Sequence, residues 1–262
     1  MLLNLTIIYV EYITEKRSKY RDSFIKLYKY LEKIPLCKKH YIIVDNLNCD
    51  SEYNLIKLHD DIIRIAGDNS DGEFSGWQKG VEFLQDKKSN YFKTDIVLFA
   101  NDAFLNPGPI FLEDYATLNL LLKSILTGSV IGRIDRHAKD NLSLLGYDVS
   151  EWVCTNCFFM PLNVLNGINN TIISLKEDDI NMFVEQYEYD KRYFRDDAPV
   201  SKEYQDIIVE WLTCNWHSAF KPETNWELFR YKVKAIFNEV LLSAKIKEAG
   251  FKINSYGKKK YY

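Results

Sequence analysis

Residues 63–104 decide the fold, and they read IRIAGDNSDGEFSGWQKGVEFLQDKKSNYFKTDIVLFANDAF. The stretch parses as strand, loop, helix, loop and strand. Positions 96–100 are apolar throughout, which is typical of a strand covered on both faces in a parallel sheet. Turn-forming residues at 67–69 end the preceding strand. Asp102 follows the later strand, at the end where open α/β sheets bind ligands.

The rest of the chain continues this alternation of strands and helices, which predicts βαβ units and a parallel sheet. Right-handed crossovers would bring the carboxyl ends of the first, second and fourth strands to one edge. We expect a helix to open at Asn238–Glu239 and an edge strand at 251–253. The predicted strands are 3–12, 40–45, 62–66, 95–100, 128–134 and 151–160, and the predicted helices are 15–33, 75–85, 118–126, 203–212, 225–237 and 240–249.

Composition excludes several classes of protein. The 34 basic and 37 acidic residues leave no positive footprint for nucleic acid. Five cysteines form no disulfide framework, and the CxxC spacing of Cys154 and Cys157 has no second ligand pair for zinc. The apolar start, MLLNLTIIYVEY, is too short to span a bilayer and lacks a basic leader region. We therefore expect a soluble cytoplasmic protein with reduced thiols.

Three carboxylates are candidates for chemistry, and each has a plainer interpretation. Asp102 suits Mg²⁺ or Mn²⁺, or caps a turn. Asp45, followed by Asn46, could bind a base or ribose, or close a turn. Glu239 could act as a general base, or could stabilise a helix start through the macrodipole.

The aromatic side chains also have two interpretations, because rings stack on sugars and bases but also fill cores. The same applies to histidine, which is either a ligand or a structural residue, as for His137 and His217. The tryptophans are Trp77, Trp152, Trp211, Trp216 and Trp226.

Taken together, the chain resembles the GT-A nucleotide-sugar glycosyltransferases, especially the inverting family-2 type. The resemblance covers residues 3–105 and, more loosely, 225–253. It rests on the order of the elements, on Val-Asp-Asn at 44–46 and on Gly-Asp-Asn at 67–69. Gly80 takes the place of the glycine in the family's Arg-Asn-x-Gly signature. Asp102 takes the place of the last aspartate of its DXD motif.

The resemblance implies an α/β, GT-A-like (Rossmann-like) domain spanning 1–262, mostly parallel, with a helical insertion in its C-terminal half. Residues 1–105 would bind the nucleotide-sugar and 106–262 the acceptor. Glu239 would be the catalytic base, and Asp102 would hold Mn²⁺ or Mg²⁺. Apart from the resemblance, His217 is a candidate second ligand of that metal. The implied donor contacts are Val10, Glu11, Asp45, Asn69, Trp77, Asn101 and Asp102, and the implied acceptor contacts are Trp152 and Trp216.

The expected activity is transfer of a sugar from a nucleotide diphosphate-sugar to a glycan or lipid-linked acceptor, with inversion, in surface polysaccharide synthesis. The alternatives are a retaining transferase, a non-catalytic carbohydrate-binding or scaffold protein, and a sugar nucleotidyltransferase. The last normally carries a glycine-rich loop after the first strand, and residues 12–20 contain no glycine. The tail at 258–262, KKKYY, predicts either weak contact with the inner face of a membrane or a solvated terminus.

Overall fold

The computed structural model describes residues 2–47, 56–86, 93–104, 114–139, 141–186, 192–215, 222–256 and 260–261. These residues form a mixed α/β fold around a mostly parallel sheet, which is compatible with a Rossmann-like fold. The helices are α1 (Ser23–Leu31), α2 (Glu73–Gln85), α3 (Asp114–Thr127), α4 (Leu162–Gly167), α5 (Lys202–Glu210) and α6 (Trp226–Glu248). Short 3-10 helices span Glu15–Tyr20 and Asp178–Met182, and a π-helical turn spans Trp211–Asn215.

Among the described residues, nine strands form the main sheet. They are β1 (Leu3–Glu11), β2 (Cys37–Asp45), β3 (Ile56–His59), β4 (Ile62–Ala66), β5 (Ile96–Asn101), β6 (Ser129–Arg136), β9 (Glu151–Pro161), β10 (Lys252–Ser255) and β11 (Lys260–Tyr261). Their order is β10-β6-β9-β5-β1-β2-β4-β3, with β11 also on β6. Two further strands, β7 (Ser143–Leu144) and β8 (Tyr147–Asp148), pair with each other, and Leu144 also forms a β-bridge with Val200.

The central strands β5, β1, β2 and β4 are parallel, so the predicted alignment of their carboxyl ends is confirmed. Strand β9 runs antiparallel to both its neighbours, β5 and β6. The short β3 is antiparallel to β4 at the edge. The sheet is therefore parallel where the first half of the chain builds it and mixed where the second half extends it.

Helices cover both faces of the sheet because the β1 side chains alternate between two apolar cores. Ile7 and its same-face neighbours pack with α1 and α3. Ile8 and Val10 pack with α2 and with the end of α6. Gly80 allows α2 to lie close to β1, since a Cβ there would lie 2.3 Å from the Cγ2 of Ile8. A third core joins α5, the first half of α6 and the 3-10 helix at 178–182.

Three helix predictions were wrong in their boundaries. The predicted helix over 15–33 is a 3-10 helix followed by α1, with a break at Arg21–Asp22. The predicted helices over 225–237 and 240–249 are one continuous helix, α6. Asn238 starts no new helix, because its side chain accepts hydrogen bonds from the amides of Ser174 and Leu175 (2.7 and 2.8 Å) instead of competing with its own backbone.

Within the part of the chain that the structure describes, no helix combines the length and the apolar character needed to cross a membrane. The basic tail proposed for membrane contact lies mostly outside the described residues, since Lys258, Lys259 and Tyr262 are not among them.

Candidate functional site

The carboxyl ends of β1, β2 and β5 place three acidic positions side by side. Glu11 is in register with Asp45 across the β1–β2 pair, and Val10 is in register with Asn101 across the β1–β5 pair. Asp102 follows directly, with its amide donating to the carbonyl of Val10 (3.0 Å). Of the three predicted carboxylates, Asp45 and Asp102 lie at this edge of the sheet, where Glu11 joins them, whereas Glu239 belongs to α6.

Asp45 and Glu11 share one cation, Arg64 of β4. The Arg64 Nη1 lies 2.9 Å from an Asp45 oxygen and 2.5 Å from a Glu11 oxygen. The second Asp45 oxygen accepts a bond from the amide of Leu47 (3.1 Å). Burial raises the pKa of Glu11, the charge of Arg64 lowers it, and the neighbouring Asp45 raises it again. Arg64 thus holds two carboxylates together at the ends of two strands.

Asp102 is bound by protein groups on both of its oxygens. It is 3% exposed, it forms a salt bridge with Arg17, and its other oxygen accepts from the amide of Tyr12 (3.2 Å). Burial raises the pKa of Asp102, while Arg17 and the Tyr12 amide oppose that rise. The sequence did not point to Arg17 as its partner, because the two residues are 85 positions apart.

The described surroundings of Asp102 do not fit Mn²⁺ or Mg²⁺. Either ion needs several oxygen ligands around it. At Asp102 a guanidinium already occupies the carboxylate, and the described residues contain no group of three His, Cys, Asp or Glu side chains that could hold a metal. His217, the other expected ligand, lies outside the described residues.

Glu239 lies in the middle of α6, where this helix covers an edge of β9. Strand β9 extends past its pairing with β5, so amides on that edge need other acceptors. Ser243 accepts from the amide of Val153 (2.9 Å), and Glu239 accepts from both the amide and the hydroxyl of Thr155 (2.8 and 3.0 Å). Burial, with smaller contributions from the charges of Asp135 and Glu73, raises the pKa of Glu239 to about 7 against the opposing Thr155 bonds.

Glu73 connects the two parts of this site. It lies in the first turn of α2, and its negative charge raises the pKa of both Asp102 and Glu239. The start of α2 also touches α6, because a Cβ on Gly72 would lie 2.3 Å from the hydroxyl of Tyr231. Glu73 is thus an acidic neighbour whose charge acts on both carboxyl groups. Sequence reasoning missed Glu73, although an acidic residue in a first helical turn after a strand-end loop was a visible signal.

Other predicted contact residues lie elsewhere. Trp77 is 0% exposed, and its indole nitrogen donates to the carbonyl of Ala100 (3.1 Å), so it belongs to the core and offers a donor no surface. Val10 is likewise a core residue. Trp152 is 2% exposed and packs on His137, with ring centroids 4.6 Å apart, which corrects its expected role as an acceptor platform. These buried rings fill the apolar core and present no surface to a ligand.

The remaining predicted residues have local roles or are not described. Asn101 accepts from the amide of Ala103 (3.0 Å) and so closes the turn after β5. Asn69 adopts a positive φ of 50° and accepts from the Asn46 amide group (3.4 Å). Trp216 lies outside the described residues.

A groove of about 380 Å³ runs on the outer side of the start of α2. Five carboxylates and two lysines line it, so its charge disfavours phosphate. The charged residues are Asp68, Asp71, Glu82, Glu177, Asp178, Lys79 and Lys176. A cation beneath it, Lys234, is already paired with Asp71 (2.9 Å) and with Glu177.

In comparisons with known proteins, no family model and no curated protein matches this chain.

Proposed function

We propose that the protein is a glycosyltransferase that moves a sugar from a nucleoside diphosphate-sugar to a hydroxyl of a saccharide or lipid-linked acceptor, with inversion. The observation that carries this proposal is the raised pKa of Glu239 together with the hydrogen bonds that orient its carboxyl group. Its carboxyl group has a pKa raised to about 7, and Thr155 holds one of its oxygens. A base with a pKa near the working pH is the most effective proton acceptor.

The proposed step uses groups at the carboxyl edge of the sheet. Glu239 takes the proton from the acceptor hydroxyl while that oxygen attacks the anomeric carbon. The bond from that carbon to the diphosphate breaks, and its electron pair leaves with the nucleoside diphosphate. Asp45 and Glu11, held together by Arg64, lie at the strand ends where open α/β sheets bind nucleotides. They bind and orient the nucleoside.

The electrostatic surroundings of Glu239 support this assignment. The charge of Glu73, in the first turn of α2, raises the pKa of both Asp102 and Glu239, so the two carboxyl groups share an acidic neighbour. Titratable groups with shifted pKa values cluster at functional sites more often than elsewhere. A purely structural role for Glu239 would account for its bonds with Thr155. It would not account for the acidic neighbours that make its ionised form less favourable.

Thermal-shift screening against UDP, GDP and dTDP tests the proposal. We expect one nucleotide to raise the midpoint of unfolding in a concentration-dependent way, since a ligand that binds only the folded state stabilises it. Sugar derivatives of that nucleotide would then be incubated with saccharide acceptors, and the anomeric configuration of the product read by NMR. Absence of stabilisation by all three nucleotides, together with intact donors after incubation, would contradict the proposal.

A further inference from the structure

The salt bridge between Arg17 and Asp102 occupies the position where the resemblance implies a divalent cation. We propose that Arg17 itself contacts the diphosphate of the donor, and that Asp102 is a positioning residue for Arg17 and not a metal ligand. Donor binding would then need no divalent cation. This inference rests on the proposed function, because it concerns the diphosphate of the same donor.

The backbone and two rings hold Arg17 in place. The 3-10 helix at 15–20 is interrupted at Arg17, whose φ of −106° and ψ of 17° are not helical. This break turns the side chain back toward the end of β5, where Asp102 accepts from its Nη2. The Cζ of Arg17 lies 6.0 Å from the ring centroid of Tyr12 and 5.1 Å from that of Tyr20. Such cation–π contacts further restrict the guanidinium.

Arg17 retains donors for a ligand. A guanidinium has five N–H donors in a planar fork that matches phosphate oxygens. Asp102 receives a bond from Nη2, whereas Nε is buried and has no hydrogen-bond partner among the described residues. The side chain as a whole is 38% exposed, so the guanidinium can be reached by a ligand although Nε itself is buried. An acceptor bound there would pair with donors that Asp102 leaves unused.

The same geometry disfavours a metal ion. A cation binding to Asp102 would have to displace Arg17 from one oxygen and compete with the Tyr12 amide for the other. Because Asp102 neutralises Arg17, the pair would bind phosphate through directed hydrogen bonds more than through net charge. The expected effect of losing Arg17 is therefore moderate.

Isothermal titration calorimetry with UDP, GDP and dTDP, first in EDTA and then in Mn²⁺, tests the inference. We expect wild-type protein to bind one of these with similar affinity in both buffers. Arg17→Ala should weaken that binding by roughly 10- to 100-fold, as expected for a lost hydrogen bond to a charged group. Arg17→Lys should recover part of it. Lys16→Ala removes an exposed cation of the same 3-10 helix and should leave binding unchanged.

Asp102→Asn provides an independent arm. If Asp102 acts through Arg17, this variant should weaken nucleotide binding in EDTA, and combining it with Arg17→Ala should add little further loss. Circular dichroism and urea unfolding would show that each variant is folded. The wild-type comparison between EDTA and Mn²⁺ needs no variant at all.

The outcomes separate this inference from the proposed function. Nucleotide binding that appears only with Mn²⁺, or that Arg17→Ala leaves unchanged, would overturn the role of Arg17 and leave the transferase proposal standing. If none of the three nucleotides binds in either buffer, both proposals fall together.

Discussion

Thr155 donates two hydrogen bonds to one carboxylate oxygen of Glu239, from its backbone nitrogen at 2.8 Å and from its hydroxyl at 3.0 Å. The second oxygen of Glu239 has no hydrogen-bond partner among the described residues. The carboxyl group is thus oriented by one oxygen while the other stays available. The rate of transfer, its pH profile and the pH dependence of stability should all follow from this arrangement.

Glu239→Gln should reduce the rate of sugar transfer by roughly 100- to 10,000-fold, because an amide of the same shape cannot accept the proton. Nucleotide affinity should stay close to that of the wild type, since Gln still accepts the Thr155 bonds. Initial rates and calorimetry measure the two effects. Glu203→Gln, at an exposed carboxylate of α5, is the matched control. Transfer at the wild-type rate by Glu239→Gln would remove Glu239 from the mechanism.

The pH dependence of kcat/KM should follow the ionisation of Glu239. Its pKa is raised to about 7 by burial, and only the ionised form accepts a proton. Activity should therefore rise with pH through about 7 and level off above it. Rates measured in constant-ionic-strength buffers would show this. A flat profile between about pH 5 and 9 would contradict the assignment.

Thr155→Val should move that midpoint to higher pH. The Thr155 hydroxyl lowers the pKa of Glu239 by bonding to its charged form, so its loss raises the pKa further. We expect a reduction in rate at neutral pH that largely disappears at about pH 9, where the carboxyl group is ionised in both proteins. Thr213→Val serves as control, because it loses only local hydroxyl bonds, to the Val209 carbonyl (2.7 Å) and with the Cys214 sulfur (3.4 Å). A loss of activity equal at all pH values would instead indicate a structural role.

Glu239→Gln should be more stable than the wild type at alkaline pH. The pKa of Glu239 in the folded protein, about 7, lies above the ordinary value of 4.5, so the folded state binds this proton more tightly than the unfolded state. The contribution of Glu239 to the stability of the wild type therefore falls as pH rises from 4.5 to about 7. Gln does not titrate, so the variant does not lose this contribution. Urea unfolding at about pH 5 and pH 8 should show the difference growing, at roughly 1.4 kcal/mol for each tenfold difference in proton affinity between the two states. If the stability advantage of Glu239→Gln over the wild type shrinks as pH rises, the raised pKa of Glu239 is contradicted.

Lys234→Met should lower the free energy of unfolding by about 3 kcal/mol, because it leaves the Asp71 and Glu177 carboxylates without their shared cation. Lys234 is buried in α6 and lies 2.9 Å from Asp71. Lys202→Met, at an exposed pair with Asp206, should cost under about 0.5 kcal/mol. Urea unfolding measures both, and adding Asp71→Asn to Lys234→Met should recover part of the loss. Equal stability of Lys234→Met and wild type would show that the pair contributes nothing.

The strands could be predicted because their signals are local. An unbroken apolar run made β5 recognisable, and the expected bounds 62–66 of β4 match Ile62–Ala66. Polar residues after such runs placed Asp45 and Asp102 at strand ends, and the parallel pairing then aligned them. Helix bounds were less predictable, because the continuity of α6 through Asn238 depends on side-chain contacts with residues more than 60 positions away.

The amino-acid pattern alone determined an α/β protein with carboxylates at one edge of a mostly parallel sheet, because strand periodicity and turn chemistry act over a few residues. The partners of those carboxylates were decided only by the tertiary structure. Arg17 meets Asp102 across 85 positions and Thr155 meets Glu239 across 84, and no short-range pattern encodes such pairs. Side-chain charge, burial and pKa follow from what packs around a group, and that packing exists only once the chain has folded.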